Sequence, residues 1–167
     1  ALDLGSGSLF VAKVHTSTEA HTNDAATKKI RNRLAKLERL QHPNILKHCG
    51  HDFIDNNLYI YLEYVPNGSL QSMLREFGPL GASVLGVAAG GLLRGLDFLH
   101  TRSPAVVHGN VSSSSILVGE GWCLKLQCFQ CSRHIAAEPE FASMESLAWM
   151  APEAFQGKSS DGTKEDV

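Results

Sequence analysis

The sequence predicts an α+β fold built in two parts. Three observations carry that expectation. Short β-type runs come first and helical periodicity dominates later. A Pro66-Asn67-Gly68 break separates the two regimes. The chain has 167 residues, 43% of them hydrophobic and 19% charged, which is ordinary globular composition. Such a length buries roughly 70% of the unfolded surface.

Each element follows from local pattern. Residues 9–14 (Leu-Phe-Val-Ala-Lys-Val) read as a strand after a Gly5-Ser6-Gly7 turn. Residues 17–24 are polar and loop-like, with Asn23 or Asp24 placed to cap a helix. From Ala25 to Leu40, the apolar Ile30, Leu34, Leu37 and Leu40 recur at helical spacing. His42-Pro43-Asn44 stops that helix. Ile45–Cys49 and Leu58–Glu63 read as strands around an Asp55-Asn56-Asn57 turn. Ser69–Phe77 is a short helix, and Ala82–Arg102 a long apolar one weakened by Gly86, Gly90, Gly91 and Gly95. Two short strands follow, Ser115–Val118 and Cys123–Gln127, then an irregular stretch to Pro152 and a polar tail from Gly157. No internal repeat is present, and Ser112–Ser115 is the only low-complexity tract.

Bulk properties narrow the function. A formal charge of −2 gives no general attraction to nucleic acid or anionic membrane. Lys28, Lys29, Arg31 and Arg33, with Lys36 and Arg39, form a local basic cluster. It reads as a docking face or, more simply, as one solvated helix face. No uninterrupted apolar run reaches the ~18 residues of a membrane span, because Arg94 and Asp97 interrupt the stretch from Val84 to Leu99. Four cysteines are too few for a disulfide scaffold and point to a reducing, cytoplasmic setting. The chain opens in mid-motif without Met and reads as a fragment.

The most informative segment is Val-Val-His108-Gly-Asn110-Val-Ser112-Ser-Ser-Ser115-Ile-Leu-Val. Its frame resembles the protein-kinase catalytic loop H-R-D-L-x-x-x-N followed by apolar residues. Four further strings appear in the order that family has them: Val11-Ala12-Lys13, Leu40 to Leu46, Leu58 to Leu70, and Gly95 to His100. Trp149-Met150-Ala151-Pro152-Glu153 completes the set. The chain therefore resembles a protein kinase, in flavour the mitogen-activated kinase kinase kinase group. The resemblance implies a two-lobed fold, with a partial β-rich N-lobe over 1–66 and a partial helical C-lobe over 67–167. Lys164 to Val167 resembles the start of the helix that anchors the C-lobe. Gly5-Ser6-Gly7 lies too near Lys13 to be the phosphate loop, so it is expected to be a turn between strands.

The same register exposes what is missing. Phosphoryl transfer rests on positioning and charge neutralisation. Lys13 stands at the phosphate-pairing position, but its expected glutamate partner is Arg33. Two like charges ~4 Å apart repel by up to ~4 kcal/mol at an intermediate dielectric. Glu38 lies five residues further on and on another face. Asn110 replaces the catalytic aspartate, and an amide takes up no proton at neutral pH. Positioned base catalysis is worth about 10²–10⁴-fold. Ser112 replaces the lysine that steadies the phosphate. Ser115 and Cys128 replace both magnesium ligands, although magnesium ordinarily takes at least one carboxylate. The apolar frame is better kept. Val11 would roof an adenine pocket and Leu117 would floor it. Leu62 would be the gatekeeper, and Glu63 and Val65 the hinge. His108, Phe129 and Leu37 fit the family's internal spine.

The resulting expectation is a pseudokinase. It would scaffold or regulate protein partners, an active kinase among them, with an ATP-type pocket but no metal site and no nucleic-acid partner. A divergent active serine/threonine kinase is the alternative. Cys123, Cys128, Cys131 and His134 offer a zinc or redox reading against one of plain filler residues. Ser132, Ser143 and Ser146 fall in the activation-type segment, where phosphorylation would add charge near Arg133.

Overall fold

The computed structural model describes residues 1–16, 24–55, 57–127, 149, 151–152, 163 and 166. In chain order the elements are β1 (Phe10–Thr16), α1 (Asp24–Glu38), β2 (His48–Ile54) and β3 (Asn57–Glu63). There follow α2 (Leu70–Phe77), α3 (Ala82–His100), β4 (Ile116–Val118), a 3₁₀ turn (Glu120–Trp122) and β5 (Leu124–Leu126). The expected α+β class is what forms.

β3 is the central strand of an antiparallel sheet ordered β1-β3-β2. Its alternation decides which face is inside: Leu58, Ile60 and Leu62 are buried and the intervening tyrosines are only half-covered. Ile30 and Leu34 of α1 pack on that face with Leu46 and Val65. Leu34 and Leu58 are fully buried, so truncating either to Ala costs about 2–5 kcal/mol. A second core lies below, where Leu40, Ile45, Leu96, Leu99, Ile116, Val118, Leu124 and Leu126 meet.

The glycine-rich segment before β1 is a turn, as its spacing required. Leu2 and Leu9 bridge antiparallel, Asp3 and Ser8 are joined by a 2.9 Å backbone bond, and Gly7 sits at φ +70°.

One strand is displaced from its expected position. The run Ile45–Cys49 was expected to be extended, but β2 begins only at His48. Ile45 instead bridges Leu126, and the Leu46 N–H donates to the Leu126 carbonyl at 2.8 Å. The two apolar residues serve different cores, Leu46 the upper and Ile45 the lower. β2 is an edge strand, so the polar run His48-Cys49-Gly50-His51-Asp52 suffices for it.

The glycines of α3 have a packing role that propensity hides. A Cβ on Gly95 would stand 3.0 Å from the Asn44 carbonyl oxygen and 3.1 Å from Leu126 Cδ1. One on Gly91 would stand 3.0 Å from Asn44 Nδ2. The bare backbone lets α3 close onto the Asn44 turn, where Asn44 Nδ2 donates to the Leu124 carbonyl at 2.8 Å. Among the described residues, α3 is the one helix long and apolar enough to cross a membrane by length and composition. Here Ala88, Leu96 and Leu99 on one side of it are buried in the lower core.

Candidate functional site

The loop from α3 to β4 is organised around His108, which is 2% exposed. Its Nε2 donates to the Gln127 carbonyl at 2.9 Å and its Nδ1 accepts from the Asn110 N–H at 3.3 Å. These two bonds fix the Nε2–H tautomer. Burial pushes the imidazole pKa below its ordinary value, and the nearby Asp166 carboxylate only partly opposes that.

Asp166 holds the loop from below. Oδ2 accepts from the His108 N–H at 2.7 Å, and Oδ1 accepts from the Gly109 N–H at 2.7 Å. His100 Nε2 lies 2.9 Å from Oδ2. The carboxylate side chain is 1% exposed, and a buried charge needs such donors. Gly109 turns its amide toward Asp166 at φ +71°, a conformation glycine adopts without strain. Nothing in the tail's own sequence marked Asp166 as the loop's anchor.

Three of the positions expected to carry chemistry, Asn110, Ser112 and Ser115, are bonded to one another within the loop. Ser115 is 2% exposed. Its Oγ donates to the Asn110 carbonyl at 2.8 Å and accepts from the Ser112 N–H at 3.0 Å. The hydroxyl thus closes the loop on itself. Ser112 is also buried, with its Oγ 2.9 Å from Ser114 Oγ. Ser113 accepts from the Gln71 N–H at 2.9 Å, tying the loop to α2. Asn110 is half-buried, and its backbone is held by His108 and Ser115.

The expected pocket residues come together. Val11 on β1 pairs with Leu62 on β3, and both join Val65 and Leu117 in one apolar cluster. Leu117 is carried on β4, which docks on the segment between β3 and α2 through a Ser69–Leu117 bridge and a 2.9 Å bond from the Val118 N–H to the Gly68 carbonyl. Lys13 lies on the same side of β1 as Val11, half-buried, and burial pushes its ammonium pKa down. Glu38 is committed elsewhere: its Oε1 is 2.7 Å from His51 Nδ1 and 3.7 Å from His48 Nδ1. The Glu63 side chain accepts from the Lys47 N–H at 2.6 Å and pairs with Lys125 Nζ at 2.9 Å. That ion pair, which the sequence did not disclose, joins the end of β3 to β5.

Cys128, Phe129, Cys131, Ser132, Arg133, His134, Ser143 and Ser146 lie outside the described residues. Cys123 is a free thiol 3.7 Å from the Pro43 carbonyl. Among the described residues no group of three His, Cys, Asp or Glu is placed to hold a metal ion.

The described residues thus hold a half-buried lysine on β1, an apolar cluster of Val11, Leu62, Val65 and Leu117, and a histidine-centred loop before β4. The chain belongs to the family described as Protein kinase domain, whose match covers residues 1–167. Relatives include the mitogen-activated protein kinase kinase kinase ANP1 of Arabidopsis thaliana, 35% identical over 81% of this chain and 20% of its own length. YODA of the same plant is 33% identical over 80% of this chain and 15% of its own length. Mitogen-activated protein kinase kinase kinase A of Dictyostelium discoideum is 34% identical over 75% and 14%. The chain thus spans about a fifth or less of the length of these relatives.

Proposed function

We propose that this kinase domain is a pseudokinase that scaffolds or regulates a kinase signalling step. The observation that carries the reading is the condition of its loop. Asn110 stands where a proton acceptor is required, and the Ser115 hydroxyl is consumed by the loop backbone. Cys128 at the second metal position supports the same reading. Residues 1–66 and 67–167 act as the two lobes, with a cleft between them lined by Val11, Lys13, Leu62, Glu63, Val65 and Leu117. The apolar cluster there supports binding of an adenine ring without magnesium. Its partners are proteins, an active kinase first among them, since the relatives are named as kinases that act on kinase kinases. A reducing, cytoplasmic setting agrees with the free thiols of Cys49 and Cys123.

The test pairs two measurements on the 167-residue chain. Thermal-shift titration with ATP should give the same stabilisation with and without magnesium. Radiolabelled phosphotransfer to a general protein substrate should stay at background. Magnesium-dependent transfer that Lys13→Ala abolishes would establish the divergent active kinase instead.

A further inference from the structure

Charge in this chain is distributed unevenly. Residues 27–39 hold Lys28, Lys29, Arg31, Arg33, Lys36 and Arg39 against the single acid Glu38, a net of +5. The whole chain has 15 basic and 17 acidic residues, so everything outside that segment carries 9 against 16, a net of −7. A solvated helix face ordinarily mixes signs, and like charges three or four residues apart weaken a helix.

The geometry sharpens the asymmetry. Lys28, Arg31 and Lys36 on α1, and Arg39 in the turn after it, are all exposed. At 100° per residue these four fall within one face about 140° wide. Glu38 borders this face, about 20° from Arg31 around the helix, but its carboxylate is held by His51 at 2.7 Å. Among the described residues no carboxylate pairs with Lys28, Lys36 or Arg39. Arg31 is steadied by stacking over the Phe53 ring at 4.6 Å, which extends the face onto β2.

We propose that this face of α1 docks an acidic peptide segment of a partner protein. From Lys28 to Arg39 the face runs about 16 Å. An extended peptide covers that length in about five residues. Four or five closely spaced Asp or Glu therefore match it in both length and charge. A longer polyanion such as nucleic acid would meet the −7 carried by the rest of the chain. The proposal does not depend on whether the cleft is catalytic, since α1 presents this face away from the core formed by Ile30 and Leu34.

The test is fluorescence anisotropy with the 167-residue chain and a labelled Glu-Asp-Glu-Asp-Glu-Asp peptide. Binding should weaken about tenfold in the Lys28→Gln, Lys36→Gln, Arg39→Gln triple variant, and as steeply when salt rises from about 50 to 300 mM. Lys47→Gln, an exposed lysine elsewhere, should bind as the parent does. Circular dichroism checks that the variants fold, and these exposed positions give no reason for loss. Equal binding by parent and triple variant, an equal loss in Lys47→Gln, or tighter binding of a hexameric deoxythymidine oligonucleotide than of the peptide would each overturn the proposal.

Discussion

Replacing Gly95 by Ala tests how α3 seats the site. Two effects oppose each other. Glycine inside a helix is about 1 kcal/mol worse than alanine, so propensity alone predicts stabilisation. The new methyl, however, would stand 3.0 Å from a backbone oxygen and 3.1 Å from Leu126 Cδ1. Leu126 is fully buried and the Asn44 carbonyl already accepts from the Leu126 N–H at 2.9 Å, so neither neighbour has room to yield. Overpacking of this kind costs about 1–3 kcal/mol. Gly86→Ala is the internal control, because a Cβ there meets nothing within 4 Å. Both variants gain the same propensity term, so their difference isolates the close approach, and Gly95→Ala should be less stable than Gly86→Ala by about 1–3 kcal/mol. In thermal unfolding that is a gap of about 3–10 °C for a chain of this size. Equal stabilisation of both variants would refute the account of why glycines line this face.

Further outcomes follow from the site. Asp166→Ala leaves two buried backbone N–H groups and His100 without their acceptor, and should cost about 3 kcal/mol or more by urea unfolding. Ser115→Ala strands the Ser112 N–H inside the loop, which should cost about 1–3 kcal/mol, while Ser114→Ala at the exposed neighbour should be near neutral in the same assay. Acidification should destabilise the fold. His48 and His108 are buried with pKa values pushed below the ordinary 6.5, chiefly by burial. The unfolded chain therefore binds protons that the folded chain refuses as pH falls below about 6.5, which removes up to ~1.4 kcal/mol per histidine by pH ~5.5. His48→Phe should flatten that dependence, since neither of its ring nitrogens has a hydrogen-bond partner among the described residues.

Where residue type and period agree, the fold was legible. The Ile30, Leu34, Leu37 and Leu40 spacing gave α1 to within two residues at its C-terminal end, and the alternation around Ile60 gave β3. Legibility failed at β2, because an edge strand needs no alternating apolar set, while Ile45 and Leu46 looked like a strand and were core residues on a crossing segment. Val11, Leu62, Val65 and Leu117 each sit in a recognisable string, and they meet in one apolar cluster. Contacts between distant residues were not legible. Nothing local tells that Glu63 meets Lys125, or that Asp166 reaches His108. The glycines of α3 were misjudged in isolation, as their value lies in a neighbour forty or more positions away.

The reach of Asp166 also sets an order of events. The loop precedes its anchor by 57 to 58 residues. During synthesis at about 5–20 residues per second, the loop waits several seconds for the carboxylate that satisfies its amides. Both cores can form around α3 in that interval, but the turn at His108 and Gly109 cannot be completed. A chain truncated at residue 160 should therefore be cut by protease within residues 105–111, and the 167-residue chain should resist. Among the described elements, the loop is thus expected to acquire its shape after the strands that frame it.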